Sequence, residues 1–270
     1  LVVLADEPGR VQGLVFVDTN NNTTREVGEP LLQGVTITLT RPDTSTDTRA
    51  TDVNGAYDFD GLAAGTYSVS ETQPASYGDA AGSPNTLSAV LAGGGVAMAN
   101  FRETAGDITA RVYEDRDRND TDTAEPGIQG VVIELRRVSD NSLVTSLTTD
   151  SAGVVTFTGL VAGDYRLVQP TQPSAYASGT PDTISVALLA GGAASGSFGE
   201  DLGLIRGRVF IDTNNNGTDN SEPPIAGVTI ELRRSSDNSL IATATTGMAG
   251  DYAFPNLLAG DYAVVEIQPD

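Results

Sequence analysis

Cysteine, histidine, lysine and tryptophan are all absent from this 270-residue chain, and every one of its 15 basic residues is arginine. Without histidine or cysteine there is no thiol chemistry, no zinc or haem site of the usual kind and no Ser-His-Asp triad. Without lysine there is no Schiff base and no phosphate-gripping P-loop. Only carboxylates remain as serious general acids or bases. Their pairs, such as Asp115 and Asp117, recur in every repeat with no tryptophan to stack on a sugar, so the chain reads as non-catalytic. Positive charge is scarce too: 36 acidic residues leave a net charge of −21, which repels nucleic acid and anionic membranes. No apolar run approaches the ~18 residues that cross a bilayer, so no membrane insertion is expected in this segment. The lack of cysteine leaves the redox compartment open, because extracellular proteins can manage without disulfides.

What the chain does contain is a repeat. Val15-Phe16-Val17-Asp18 returns as Val112-Tyr113-Glu114-Asp115 and as Val209-Phe210-Ile211-Asp212, with 97 residues to each step. Gly34-Val35-Thr36-Ile37 returns as Gly130-Val131-Val132-Ile133 and as Gly227-Val228-Thr229-Ile230. Leu62-x-x-Gly65-x-Tyr67 matches Leu160-x-x-Gly163-x-Tyr165 and Leu257-x-x-Gly260-x-Tyr262. The expected organisation is a tail of a preceding module and linker at 1–8, then repeats at 9–103, 104–200 and 201–270. The third repeat stops before any counterpart of Thr183 to Phe198, and Leu1 to Leu4 are too few to replace that segment from a second copy. The chain therefore reads as a window on a longer array, with neighbouring modules of the same chain as its first partners.

Within each repeat the apolar period is two. Val15 and Val17, Val35 to Leu39, Tyr57 and Phe59, and Tyr67 and Val69 all alternate with other residues. Turn residues such as Asn54-Gly55 and Asp60-Gly61 punctuate the pattern. The spacing predicts strands near 11–17, 35–40, 46–51, 56–59, 66–71, 86–91 and 96–101. The fold class is all-β: tandem immunoglobulin-like (prealbumin-like) β-sandwich modules of about 97 residues. Alternate spacing assigns Tyr57, Phe59 and Tyr67 to the core rather than to a binding platform. Segments 102–107 and 199–204 read as short linkers. If all seven strands reverse direction in turn, strands one and seven end at the same pole, so the loop after strand one lies at the junction with the next module.

That loop is polar in every repeat. Its candidate ligands are Asp18, Asn20, Asn22, Glu26 and Glu29 in the first, and Asp115, Asp117, Asn119, Asp122 and Glu125 in the second. In the third they are Asp212, Asn214, Asn216, Asp219 and Glu222. Oxygen side chains stand at loop positions 1, 3 and 5, and an acid precedes a closing glutamate by three residues. Calcium takes six to eight oxygens, and alternate residues of a tightly curled loop can converge them on one point. The three loops carry net charges of −2, −3 and −3, over a third of the total. The competing reading is an Asx-rich turn, since Asp and Asn bond their own backbone. Position 6, where such loops prefer glycine, is Thr23, Asp120 and Gly217, which ranks the third site as best formed. Asn22, Asn119 and Asn216 also begin glycosylation sequons, but they are better used as ligands. Asp52 and Asp150, in the turn before the Tyr-x-Phe strand, read as turn formers, because Gly247 replaces them in the third repeat.

The run G-x-V-[FY]-x-D-x-N-x-N, then E-P, G-V-x-I-x-L and D-x-x-G-x-Y-x-F-x-x-L-x-x-G-x-Y, resembles the B-repeats of serine-aspartate repeat proteins, the SdrD B-like domains, and covers essentially the whole chain. They are related to the B-type domains of bacterial collagen adhesins. The resemblance implies a calcium-binding β-sandwich used as a stalk or spacer in a cell-surface or secreted protein. Collagen-adhesin relatives often carry an internal Lys–Asn isopeptide crosslink, which a chain without lysine cannot form. The expected function is a non-catalytic structural array, a stalk, surface-layer or fibre segment stiffened by Ca2+. The alternatives are an adhesin segment that binds a host or neighbouring-cell ligand, through the variable loops 77–85 and 176–182, and an accessory module of a secreted polysaccharide-degrading enzyme. Homotypic assembly is a further open partner.

Overall fold

Alternation becomes strand throughout: residues 7–268, those described by the computed structural model, contain no helix, and hence none able to cross a membrane. The reading of Leu1 to Leu4 as the end of a preceding module lies outside the described residues. The first module holds β1 (Gly9–Val17), β2 (Thr36–Thr40), β3 (Thr46–Ala50), β4 (Ala56–Leu62), β5 (Gly65–Glu71), β6 (Gly78–Asp79), β7 (Thr86–Leu91), β8 (Val96–Met98) and β9 (Phe101–Thr104). The second holds β10 (Gly106–Asp115), β11 (Val132–Arg137), β12 (Leu143–Thr148), β13 (Val154–Leu160), β14 (Gly163–Val168), β15 (Ala177–Ser178), β16 (Thr183–Leu188) and β17 (Ala193–Asp201). The third holds β18 (Gly203–Arg208), β19 (Thr229–Arg234), β20 (Leu240–Thr245), β21 (Asp251–Leu257) and β22 (Tyr262–Ile267).

Each module is a two-sheet sandwich. In the first, one sheet runs β4-β1-β9-β6, with β8 also on β1, and the other runs β3-β2-β5-β7. The second repeats this as β13-β10-β17-β15 and β12-β11-β14-β16, and the third as β18-β21 and β20-β19-β22. Inward residues of both sheets make one core per module. Val11, Val15, Ile37, Leu39, Phe59, Val69 and Phe101 are essentially inaccessible in the first. Tyr57 and Tyr67 are buried among them, as the period-two pattern requires, and each hydroxyl donates to a backbone carbonyl, of Ala99 and Ala63 respectively.

The first and last strands run parallel. Val15, Phe16 and Val17 pair with Phe101, Arg102 and Glu103, and the second module shows the same pairing from Asp107↔Ala193 to Asp115↔Asp201. This is the direction that strand parity requires.

Two expectations need revision. The last strand of module one is split into β8 and β9, because the chain bulges at Ala99 and Asn100. There the Asn100 Oδ1 replaces a main-chain acceptor for the Leu14 N–H at 2.9 Å. The linkers, in turn, are far shorter than six residues. β9 ends at Thr104 and β10 begins at Gly106, while β17 ends at Asp201 and β18 begins at Gly203, so Ala105 and Leu202 alone separate consecutive strands. Glu103, Asp107, Glu200 and Asp201 belong to the sheets rather than to a flexible joint.

Modules also touch through turns. The Ala162 N–H donates to the Ser76 carbonyl at 3.0 Å, and the equivalent Ala259 N–H donates to the Ala175 carbonyl at 2.8 Å. At the first junction Gly78 packs on the Ala190–Gly191 turn. Gly191 has φ +62, and a Cβ there would lie 2.7 Å from Thr104 Cγ2 and 2.9 Å from Gly78 Cα. Gly191→Ala is therefore expected to force the first two modules apart and broaden the distance distribution between spin labels placed one in each. Gly61→Ala, with a similar φ of +66 but nothing within 4 Å, supplies the strain without the clash. Equal distributions for the two variants would show that this contact does not set the junction.

Candidate metal centres

The polar loop leaves strand one at the junction pole and is pinned at its base. Its exit runs back beside the strand, forming the bridges Phe16↔Leu31, Tyr113↔Gly127 and Phe210↔Pro224. The Asp-x-x-Gly turn, which begins with Gly247 in the third repeat, meets the same edge of the strand beside that exit. Val15, Val112 and Val209 donate to Gly55, Gly153 and Gly250 at 2.8–2.9 Å. Asp52 and Asp150 serve that turn: Asp52 Oδ1 accepts from Asn54 and Ala56, and Asp150 Oδ1 from Ala152 and Val154.

Inside the loop the three copies share one hydrogen-bond scheme. The position-1 aspartate accepts the N–H groups of positions 5 and 6: Asn22 and Thr23 on Asp18, Asn119 and Asp120 on Asp115, Asn216 and Gly217 on Asp212. The position-5 asparagine accepts the N–H of position 7 in each copy. The closing Glu29, Glu125 and Glu222 accept the N–H of Thr19, Arg116 and Thr213 at position 2. Positions 1, 5 and the closing glutamate are thus fixed inside each loop, and Asn20 and Asn214 at position 3 accept from Asn22 and Asn216.

The oxygen-only donor set suits a hard cation such as Ca2+. Asp115, Asp117 and Glu125 bring one carboxylate oxygen each to within 4.8 Å of one another, the one such acidic trio among the described residues. Asp115 is fully buried, and Glu125 Oε2 and Glu222 Oε2 are buried with no hydrogen-bond partner, so each keeps lone pairs for a cation. Ranking by glycine at position 6 puts the third loop first, whereas carboxylate geometry puts the second first, because position 3 is Asp117 there and Asn214 in the third. The acid before the closing glutamate is bonded differently from loop to loop. Glu26 accepts from Asn20 Nδ2 and Asn22 Nδ2, both at 2.9 Å, while Asp122 and Asp219 are ion-paired with Arg111 and Arg208.

Electrostatics at this pole are uneven. Burial opposes ionisation of Asp18, but Arg102 at 3.0 Å and the N–H groups of Thr23 and Asn22 outweigh it and hold its pKa below the usual carboxylate value. Below the loop lie acids that the repeat pattern does not single out. Burial, reinforced by the neighbouring Glu103, pushes Glu71 up to about 9, and burial likewise raises Glu103. Gln73 donates to Glu103 at 2.5 Å. Module two has Gln169 where module one has Glu71, and its amide donates to Glu200 at 2.7 Å. Burial pushes Glu200 up to about 7. The signal in the sequence was Glu71 on the inward parity of β5, in phase with Tyr67 and Val69.

A carboxyl whose folded pKa is raised adds stability that is full below its unfolded pKa and is lost as pH rises through the folded value. For Glu71 that loss spans the range from 4.5 to about 9. Glu71→Gln, which copies module two, is expected to stabilise module one by about 1–3 kcal/mol near pH 8 and flatten this decline. A variant whose pH–stability curve parallels that of the parent would rule out the pair as its cause.

Backbone strain gives a second test. Position 6 is left-handed in every loop, with φ of 70°, 56° and 70° at Thr23, Asp120 and Gly217. A β-branched residue there costs about 1–2 kcal/mol, against ~0.5–1 kcal/mol of extra chain entropy for glycine. Thr23→Gly is therefore expected to stabilise module one by about 0.5–1 kcal/mol in chemical denaturation, and a loss of stability would contradict the strain.

Comparison with known proteins agrees with this architecture. The family model described as SdrD B-like domain matches residues 10–89, 106–186 and 203–270. Serine-aspartate repeat-containing protein F of Staphylococcus epidermidis is 30% identical over 95% of the chain, which spans 16% of that protein. Serine-aspartate repeat-containing protein D of Staphylococcus aureus strain Newman is 29% identical over 94% of the chain, which spans 21% of it. The solved structure of the Bacillus anthracis TIE protein superposes with a TM-score of 0.54 at 16% identity, over 97% of this chain and 46% of that one, and supports the fold alone. With three matches in register with its three repeats, the chain belongs to the SdrD B-like domain family.

Proposed function

We propose that this chain is a non-catalytic spacer in the extracellular, cell-surface part of a longer protein, in which Ca2+ held by the loop after strand one stiffens each module and its joint to the next. The residues that would hold the ion are those at positions 1, 3 and 5 with the closing glutamate, joined in module one by Glu26: Asp18, Asn20, Asn22, Glu26 and Glu29, then Asp115, Asp117, Asn119 and Glu125, then Asp212, Asn214, Asn216 and Glu222. Bound there, the ion would supply positive charge to loops that carry a net negative charge and would tie strand one to its own loop exit.

The observation that carries this reading is the bonding of the loop to the chain as it leaves for the next module. In module one the Asp18 N–H donates to the Glu103 carbonyl at 2.8 Å. In module two Arg118 donates to the carbonyl of Leu202, the single residue between β17 and β18. Ordering the loop therefore orders the joint. The variable loops favour a spacer over an adhesive surface, because their tyrosines turn inward: Tyr77 packs on the first core, and Tyr176 packs on the second and donates to Glu114 at 2.7 Å.

Calcium is expected to raise the melting temperature of the chain and chelator to lower it, with a parallel increase in interdomain bending by small-angle scattering. Superimposable melting curves with calcium and with chelator would sink the proposed sites. A calcium-dependent melt with an unchanged scattering profile would confine the ion's effect to single modules.

A further inference from the structure

Every loop has a guanidinium beside its acids, but its position differs between modules. In module two Arg111, on strand one, pairs with Asp122 and donates to the Glu125 carbonyl at 2.5 Å. In module three Arg208, at the equivalent position, pairs with Asp219, donates to the Glu222 carbonyl at 2.8 Å and is steadied by the Ala249 carbonyl at 2.8 Å. Each arginine thus ties strand one to both ends of the acid-x-x-Glu segment. Module one has Leu14 there, and Glu26 meets only neutral amides. Its guanidinium is Arg102, which comes from β9 and holds Asp18 and the Ala81 carbonyl instead.

A carboxylate already shared with a fixed guanidinium is a poor ligand for a second cation, because the two positive charges repel at short range. A glutamate held by amides carries no such penalty. We infer that Arg111 and Arg208 are tethered counter-ions that close their loops without metal and keep Asp122 and Asp219 out of the coordination set, whereas Glu26 of module one stays free to join it. The three loops, alike in sequence pattern, then differ in where their guanidinium sits: two carry a latch on the acid before the closing glutamate, and the first carries its arginine on Asp18 at position 1 instead. This inference rests on the calcium reading above for its affinity arm only.

The test uses the whole chain, with calcium titrations by calorimetry and limited proteolysis in chelator. Arg111→Leu is expected to tighten one calcium site about tenfold by releasing Asp122, and to speed cleavage within residues 115–125 when chelator is present. Leu14→Arg is expected to do the reverse in module one, weakening one site about tenfold and slowing cleavage within residues 18–29. Leu14 is only half-buried, so this second variant tests the idea even if the first fails to fold. An Arg111→Leu chain with unchanged or weaker affinity, or a Leu14→Arg chain that binds like the parent, overturns the exclusion of the paired acids. If the parent binds no calcium, the functional reading fails on its own. The cleavage rates in chelator still decide the latch, and equal rates for variants and parent reject it.

Discussion

The parallel pairing of the first and last strands is the constraint on which the other features of each module depend. Antiparallel hairpins alone would put the exit of strand one and the exit of the module wherever the turns happened to fall. Closing the sheet with β9 or β17 alongside β1 or β10 sends both ends to one pole. The acidic loop, the inter-strand residues Ala105 and Leu202 and the turns that touch the next module are then neighbours by topology. Because a single residue separates consecutive strands, the last strand of one module is almost continuous with the first strand of the next. Anything that fixes the loop acts on a backbone already committed at both ends.

The same pairing creates an electrostatic difficulty that the modules solve differently. The last strand turns Glu103 and Glu200 inward, and at 0% and 1% exposure neither reaches water. A chain without lysine has no compact cation to place against them, and its arginines are used at the surface and the loops. Module two answers with neutral amides from Gln169 and Gln172 around Glu200. Module one sets Glu71 against Glu103 with Gln73 as donor, which keeps a proton in the pair near neutral pH. Desolvation of a carboxylate without a partner costs more than a hydrogen bond returns, so a shared proton or an amide is what makes an acidic inner pole tolerable.

Much of this was legible in the sequence, and the reasons differ by feature. Strand positions followed from period-two alternation, because a side chain on the wrong parity would leave the core. The pole of the loop followed from counting reversals. The left-handed position 6 was visible as the place where Gly217 stands in one repeat and Thr23 and Asp120 in the others. The linkers read longer in the sequence than they are because Glu103, Asp107, Glu200 and Asp201 look like exposed junction acids, while the strand ladder continues through them. The split of β8 from β9 depends on one side chain, Asn100, capping the Leu14 N–H, and a pattern of types cannot show that. The arginine pairs were hidden for a similar reason: Arg111 and Asp122 are eleven positions apart and meet only because the loop folds back on strand one.

An Asx-rich turn and a cation cage look like rival explanations of the loops, yet the hydrogen bonds remove the rivalry. Each side-chain oxygen that accepts a backbone N–H still has a second lone pair, and an amide or carboxylate held by such a bond has already lost its rotamer freedom. The N–H groups of positions 5, 6 and 7 fix the oxygens at positions 1 and 5, and the closing glutamate is fixed by position 2, through the chain's own hydrogen bonds. What the turn leaves over is negative charge, together with buried oxygens that have no donor, such as Glu125 Oε2 and Glu222 Oε2. A hydroxyl or a water could satisfy one of these atoms, but neither offsets charge. A cation does both, and a tethered guanidinium does the second without leaving the chain. On the calcium reading proposed above, the turn is the preorganised half of the site, and the modules differ in which acid their arginine already holds: Asp18 in the first, Asp122 and Asp219 in the others.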